Sequence, residues 1–178
     1  MALAVIGVLF TVEGSRIYFK AILAQYLLQN AWSNTQNGTV HSKPWPWADT
    51  WPVARLRSIE HGEDMIVLAG ATGRTMAFGP AHVLASAKPG EAGNTVLTGH
   101  RDTHFSFLEQ VQVNDVLELE SADGITHRYQ VGRTSVVHES EIDVMALGKK
   151  KKLTLITCFP FDALTPGGPL RYIVSAIA

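Results

Sequence analysis

Two segments of the sequence place a reactive side chain directly after a predicted strand. In the first, the run Asn94 to Thr98 is followed by Gly99 and His100. In the second, residues 153–157 are followed by Cys158, the single cysteine of the chain. A rigid strand end can hold a reactive group at the protein surface. A thiol and an imidazole held in this way predict nucleophilic catalysis with acid/base assistance.

The lone cysteine has two interpretations. One cysteine forms no intramolecular disulfide and no CxxC site, and such a residue is often a small buried hydrophobe. As a nucleophile it needs a partner, because the unperturbed thiol pKa of about 8.5 leaves it mostly protonated near neutral pH. His100 can transfer protons, and Arg171, on the predicted strand after Cys158, keeps its charge and can stabilise an oxyanion.

These residues lie in motifs that resemble those of sortases, a family of membrane-anchored cysteine transpeptidases. The TLxTC motif appears as residues 154–158, and the GHR motif appears as residues 99–101. The family's arginine, on the strand after the cysteine, corresponds to Arg171. The resemblance covers residues 53–178, keeps the order His, Cys, Arg, and is greatest to sortases of Gram-negative bacteria.

The resemblance implies a mechanism. Cys158 would attack the Thr–Gly carbonyl of an LPxTG-like signal at the C-terminus of a surface protein, and His100 would protonate the departing amine. Arg171 would stabilise the oxyanion or position the signal, and Thr157 would bind either one through its backbone or hydroxyl. An amine acceptor would then resolve the thioacyl intermediate. No metal and no other cofactor is implied.

Three neighbouring residues are further candidates for substrate binding. Thr98 ends the strand that precedes the histidine. Asp102 could orient His100 or Arg101, or it could cap the turn through its own backbone. His104 could tune the site, or it could pack and hydrogen-bond within the loop.

Two other functions use the same residues differently. A cysteine hydrolase would pass the acyl group to water, and incorporation of an added amine would distinguish it from a transpeptidase. A non-enzymatic β-barrel could bind a peptide and leave Cys158 silent, in which case Cys158→Ala would preserve function.

The elements that must position these residues are short strands separated by Gly, Pro, Asn and Asp. Alternating apolar and polar residues are typical of half-buried strands, and Asp123-Gly124 predicts a hairpin turn. The pattern favours an all-β fold with a closed or nearly closed β-barrel, and one short helix is predicted to start at Pro80. The resemblance implies a closed sortase-type β-barrel of about eight strands with short helices and an N-terminal helix. The predicted strands are residues 53–59, 65–69, 94–98, 116–120, 125–137, 153–157 and 170–176.

Three regions divide the chain. Residues 1–32 form an anchor-like apolar segment and helix, of which residues 1–12 are uncharged but shorter than the roughly 20 residues that span a bilayer. The alternative is an ordinary helix packed on the domain. Residues 33–52 form a linker that Trp45, Trp47 and Trp51 pin to the domain, or a lid, and residues 53–178 form the catalytic barrel. An anchor would hold this barrel on the extracytoplasmic (periplasmic) side of the cytoplasmic membrane.

Charge bears on the possible partners. The formal net charge of −1 gives no bulk basicity, so we expect no nucleic-acid partner. The four lysines at residues 149–152 are interpreted as a solvated turn, with attraction to anionic lipid or to a substrate carboxylate as the alternative.

Overall fold

The computed structural model describes residues 2–141, 150–165 and 167–178, with side chains described from residue 14 onward except at residue 17. Two α-helices and a 3-10 turn accompany eight strands. The helices are α1 (Ala2–Gln36) and α2 (Gly73–Met76), and the 3-10 turn is Ser106–Glu109. The strands are β1 (Pro52–Ser58), β2 (Glu63–Ala69), β3 (Ala81–His82), β4 (Asn94–Thr98), β5 (Val116–Ser121), β6 (Thr126–His138), β7 (Lys152–Phe159) and β8 (Leu170–Ile177).

The strands form a closed barrel in the order β1-β2-β3-β4-β7-β8-β6-β5, and β5 pairs with β1 to complete it. Two neighbouring pairs, β2–β3 and β4–β7, are parallel, and the other pairs are antiparallel. Closure leaves no free sheet edge. The predicted closed β-barrel of about eight strands is therefore confirmed.

Alternating side chains along the strands fill the barrel. Leu153 and Leu155 of β7 are fully buried, as are Leu117 and Leu119 of β5. Each such leucine contributes about 1.5–3 kcal/mol through its removal from water. Residues of the opposite parity, including Cys158, lie on the outer face of the barrel, where a substrate can reach them.

Most predicted strands are confirmed with shifts of one or two residues at their ends, and the predicted turn between β5 and β6 is present. The helix predicted at Pro80 is wrong, because Ala81 and His82 form β3. Ala81 pairs with Leu68 of β2 and with Thr98 of β4. Pairing on both sides outweighs the local preference of proline for the first turn of a helix.

The second half of α1 packs on the outside of the barrel. Leu28 and Trp32 form a buried cluster with Ile66 and Leu68 of β2, and Phe78 packs against it. Earlier in the helix, large apolar side chains are exposed, among them Tyr18, Phe19, Ile22, Leu23 and Tyr26. Among the side chains of α1 that the structure describes, those near the end that leads into the domain are therefore the ones that the barrel buries.

Among the described residues, no helix is long and apolar enough to cross a bilayer. The anchor predicted from residues 1–12 falls outside this finding, because Met1 and the side chains of residues 2–13 lie outside the described part of the chain.

The tryptophans predicted to pin the segment before β1 to the domain differ in their contacts. Trp45 packs edge-on against Phe78 of the domain with ring centroids 4.9 Å apart, whereas the ring of Trp51 lies 4.1 Å from that of His41, which belongs to the same segment. Trp47 is 82% exposed, so the prediction that it pins the segment is wrong.

The lysine run begins outside the described residues, which exclude Lys149. Lys150 is exposed, Lys151 is half-buried, and Lys152 already belongs to β7. The Nζ atom of Lys151 lies 3.5 Å from Nδ1 of His127. The run therefore leads directly into the strand that carries Cys158, at the end of that strand farther from the cysteine.

Candidate active site

The strand pair β7–β8 brings Cys158 and Arg171 together. Their Cα atoms are direct cross-strand partners in the antiparallel register. Side chains of directly opposite residues lie on the same face of the sheet, with Cβ atoms about 4.5–5.5 Å apart. Cys158 is a free, half-buried thiol, and Arg171 is also half-buried. A nucleophile and a permanent cation therefore share the outer face of the barrel near one end.

The parallel pair β4–β7 brings His100 to the same place. Thr98 pairs with Ile156, and the register continues beyond the strand because the Gly99 N–H donates to the Ile156 carbonyl at 3.2 Å. Two residues past the last strand pair, His100 is level with Cys158. His100 is exposed, so its imidazole is accessible to solvent and substrate.

Gly99 allows this arrangement because it has no side chain. A Cβ atom at residue 99 would lie 2.9 Å from Cγ of the buried Phe105 ring. The backbone of the loop turns over this ring, and the Phe105 N–H donates to the His100 carbonyl at 3.0 Å. The loop that carries His100 is thus closed on itself and packed on the core.

A groove of about 200 Å³ lies beside this group on the outer face of the barrel. Thr98, Ile156 and Arg171 line it, together with Val83, Val137, His138, Glu139, Glu141 and Ile173. Its floor is apolar and its rim carries an arginine and two carboxylates. Such a groove can accept an extended peptide with small apolar side chains.

Arg171 is held by three partners within the chain. Nη1 donates to the carbonyls of Gly168 at 2.6 Å and Leu170 at 2.9 Å, and Nη2 donates to Oε2 of Glu139 at 2.5 Å. The Glu139 N–H in turn donates to the Pro169 carbonyl at 2.7 Å. The end of β6 and the start of β8 are thereby joined around the guanidinium.

Arg101 is the most deeply buried charged residue of this region, at 5% exposure. Its Nη1 donates to the Pro160 carbonyl at 2.7 Å, and its Nη2 donates to the carbonyls of Ala163 at 2.7 Å and Thr165 at 3.1 Å. Its Nε donates to Oδ1 of Asp102 at 3.1 Å. Of the two orienting roles predicted for Asp102, the contact is with Arg101.

Thr157 and His104 also form hydrogen bonds within the protein. The buried Thr157 hydroxyl donates to the Gly99 carbonyl at 2.8 Å. His104 bonds to the backbone carbonyl of Ala77, just after α2, and burial lowers the pKa of its imidazole with a smaller contribution in the same direction from His100. His104 thus joins the histidine loop to the segment before β3.

The structure brings together Cys158, Arg171 and Thr98, with His100 at the level of Cys158. Sequence reasoning did not single out Arg101 or Glu139. Arg101 had one signal, its position next to His100 in the GHR motif. No sequence signal indicated Glu139, because its hydrogen bond with Arg171 depends on the pairing of β6 with β8.

Comparison with known proteins adds the family. The Sortase domain family model matches residues 58–178, which is more than half of the chain. The chain belongs to the sortase family. Sortase D of Bacillus subtilis (strain 168) is 30% identical over 112 residues, which cover 62% of this chain and 56% of that protein. The match to this sortase thus spans little more than half of its length.

Solved structures of other sortases share the fold. The Sortase D5 transpeptidase of Clostridium perfringens gives a TM-score of 0.65 at 22% identity, over 84% of this chain and 87% of that chain. Sortase C-1 of Actinomyces oris gives a TM-score of 0.63 at 28% identity, over 71% of each chain. The barrel is therefore of the sortase type, as predicted. The greater likeness to sortases of Gram-negative bacteria stays a prediction.

Proposed function

We propose that this chain is a cysteine transpeptidase that cleaves an LPxTG-like sorting signal between Thr and Gly and transfers the acyl group to an amine. The observation that carries the proposal is the cross-strand pair of Cys158 and Arg171, with His100 level with the cysteine. A thiol, a guanidinium and an imidazole at one end of a barrel are the groups that acyl transfer requires.

In the first half-reaction, the Cys158 sulfur attacks the carbonyl carbon of the Thr–Gly bond. Negative charge develops on the carbonyl oxygen, where Arg171 stabilises it. The tetrahedral intermediate collapses, the C–N bond breaks, and His100 gives a proton to the glycine nitrogen. The products are a thioester on Cys158 and a free glycine amine.

In the second half-reaction, an amine acceptor attacks the thioester. His100 takes a proton from the attacking nitrogen, the new C–N bond forms, and the C–S bond breaks to release the Cys158 sulfur. The exposure of His100 supports this step, because the imidazole must reach both a leaving amine and an incoming one.

The groove beside Arg171 is the proposed site for the signal peptide. Its apolar lining, with Thr98 at the strand end, suits an extended segment with a small aliphatic residue and a proline. Thr157 contributes through its backbone, since its hydroxyl already donates to Gly99. Asp102 and His104 are proposed to support the loop that carries His100, because their bonds are to Arg101 and to Ala77.

The proposal includes the cell-surface setting. The protein substrates are surface proteins with a C-terminal signal, and the catalytic domain acts at the extracytoplasmic (periplasmic) side of the cytoplasmic membrane. Protease accessibility of the chain in cells with a permeabilised outer envelope tests this part. Protection of the chain until the inner membrane is lysed contradicts it.

The experiment that tests the activity is cleavage of a peptide library built on LPxTG, read by mass spectrometry with and without an added amine such as oligoglycine or lysine. We expect cleavage after Thr, a thioester mass on Cys158, and a ligated product when the amine is present. Cys158→Ala should abolish all three, because no other described residue at the site is a comparable nucleophile.

Two outcomes count against transpeptidation. If water is the acceptor at every amine concentration, the chain is a cysteine hydrolase. If Cys158→Ala leaves cleavage or peptide binding unchanged, the cysteine is silent and the barrel is a binding module. Retention of the β-sheet circular dichroism signal in Cys158→Ala is the control that separates loss of chemistry from loss of fold.

A further inference from the structure

We propose that Arg101 is a positioning residue that sets the placement of His100 relative to Cys158. The inference deepens the proposed function and rests on it for the roles of His100 and Cys158. Arg101 directly follows His100 in the chain, and its guanidinium holds the loop that begins two residues after Cys158. Arg101 is not proposed to touch the substrate.

The bonds of Arg101 converge on a single segment. Three carbonyl oxygens, from Pro160, Ala163 and Thr165, accept from its two terminal nitrogens at 2.7–3.1 Å. All three belong to the β7–β8 loop, which joins the strand of Cys158 to the strand of Arg171. The Arg101 side chain therefore holds the loop that connects Cys158 to Arg171.

A second bond joins the same two segments on the other side of the site. The Thr157 hydroxyl donates to the Gly99 carbonyl at 2.8 Å. His100 is thus flanked by Gly99 and Arg101, and both flanks are bonded to the strand and loop that flank Cys158. These two bonded points, one on each side of His100, restrict both the distance and the orientation of one segment relative to the other.

The burial of Arg101 shows that this contact is part of the folded core. At 5% exposure the guanidinium has lost nearly all contact with water, and a buried cation is tolerated only when it is hydrogen-bonded. Among the described residues, Asp102 forms an ion pair with Arg101, at 3.1 Å from Nε, although the side chain of Asp102 is 66% exposed. The carbonyl oxygens provide the rest of the compensation.

Arginine is the residue type that this geometry requires. Its planar fork presents several N–H groups in fixed directions, so one guanidinium can reach three carbonyls spread over six positions of a loop, residues 160–165. Lysine would keep the charge at a single nitrogen on a flexible stem. Arg101→Lys therefore removes the clamp while preserving the charge, which makes it the informative variant.

The expected consequence is a loss of rate with little loss of substrate affinity. A displacement of about 1 Å between reacting groups can lower a rate by about 100-fold. We expect Arg101→Lys to lower kcat at least about tenfold, with KM changed much less. Arg128→Lys, at an arginine whose side chain is 70% exposed on β6, is the matched control and should behave like wild type.

A double-mutant cycle separates positioning from general destabilisation. The readout is the rate at which iodoacetamide alkylates Cys158 between pH 5 and 9, which requires neither substrate nor turnover. If Arg101 acts by placing His100, Arg101→Lys slows alkylation near neutral pH in the wild-type background. It should have no further effect when His100→Ala is already present, because the partner that it places is gone.

Other outcomes overturn the inference. Equal slowing by Arg101→Lys with and without His100→Ala would mean that the residue acts on stability or on Cys158 alone. Wild-type kcat in Arg101→Lys would mean that the clamp is not needed. If Arg101→Lys fails to fold, the same cycle is run with Asp102→Ala, which removes one acceptor from the exposed side of the clamp. The inference is supported if Asp102→Ala slows alkylation of Cys158 less than a lost clamp would, and if this slowing disappears when His100→Ala is also present. Slowing that persists in the presence of His100→Ala contradicts the inference.

The wild-type chain decides the proposed function separately. If it neither ligates peptides nor shows alkylation of Cys158 that depends on His100, the proposed function fails. If the wild-type chain is active and Arg101→Lys matches it, only the clamp fails.

Discussion

To act on a substrate as proposed, Arg171 must share or release hydrogen bonds that it forms within the chain. Its Nη1 and Nη2 atoms already donate to Gly168, Leu170 and Glu139. A bound carbonyl can share an N–H with a backbone oxygen, or it can replace the carboxylate of Glu139, which is half exposed. The side chain is therefore oriented before substrate binding, and orientation of this kind lowers the entropy lost on reaching the transition state.

Substitution of Arg171 is the first prediction. Arg171→Ala should lower kcat/KM about 100- to 1,000-fold, the range found when one donor to an oxyanion is removed. Turnover of the LPxTG peptide measures this, and thermal unfolding checks the fold. Arg133→Ala, at an exposed arginine of β6, is the control. A tenfold or smaller loss in Arg171→Ala would argue that the arginine orients the loop and does not stabilise charge.

The sequence contained enough to predict His100, Cys158 and Arg171 as one group. His100 follows β4, Cys158 lies near the end of β7, Arg171 lies near the start of β8, and their order matches a known family. Arg101 was not predictable as a clamp, because its acceptors are backbone carbonyls of Pro160, Ala163 and Thr165. Every residue has a carbonyl, so no residue type marks the ones that a guanidinium will reach.

At the scale of elements, β3 and its following loop depend on a buried histidine. His82 is 3% exposed, and its Nε2 donates to the Ala87 carbonyl at 3.0 Å. Burial lowers the pKa of His82, although the bond to Ala87 acts in the opposite direction. Burial likewise lowers the pKa of His104 and of His127, the latter with a further contribution from Lys151.

A pH dependence of stability follows for His82. Its unfolded-state pKa is about 6.5, and its folded-state pKa is lower. Between these two values the unfolded chain binds more protons, so stability rises with pH in that window. The full contribution of neutral, buried His82 to the stability is present above about pH 6.5, and it is lost as the pH falls through the folded-state pKa.

The measurement is urea unfolding of wild type and His82→Gln at several pH values from 5 to 8. Glutamine can keep a donor to Ala87 but does not titrate, so the variant should lose less stability on acidification. The stability of His82→Gln will still depend on pH, although less steeply than that of wild type, because His104 and His127 still titrate. Parallel pH profiles for the two proteins would contradict the assignment.

Strands were predicted correctly from the sequence where the alternating pattern was long enough to show its period. Strand β5 alternates over six residues and β6 runs for thirteen, so both were visible in the sequence. Strand β3 has two residues, and two residues carry no period. Its existence depends on β2 and β4, which lie on either side of it, and this is information about the whole barrel.

At the scale of the whole molecule, the contact of α1 with the barrel includes a buried aromatic side chain. Trp32 is 2% exposed and packs with Leu28, Ile66 and Leu68. Its indole Nε1 is buried and has no hydrogen-bond partner among the described residues. The tryptophan is therefore present for its volume and not for its N–H group.

This leads to a prediction for the docking of α1. Trp32→Ala should lower the free energy of unfolding by about 3–5 kcal/mol, as large-to-small changes of buried aromatics do. Trp32→Phe should cost much less, because it keeps most of the volume and removes an unbonded N–H. Chemical denaturation followed by circular dichroism measures both. Equal costs for the two variants would show that the indole nitrogen is bonded in solution.

The parallel pairing of β4 with β7 links the timing of folding to the appearance of the site. Thr157 and Gly99, which bond across this junction, are 58 residues apart in the chain. Contacts between such distant segments form slowly, because the intervening chain must be closed into a loop first. During synthesis, a chain in which the His100 loop has emerged but β7 has not cannot form the site. Reactivity of Cys158 that depends on His100 is therefore expected only after β4 has paired with β7.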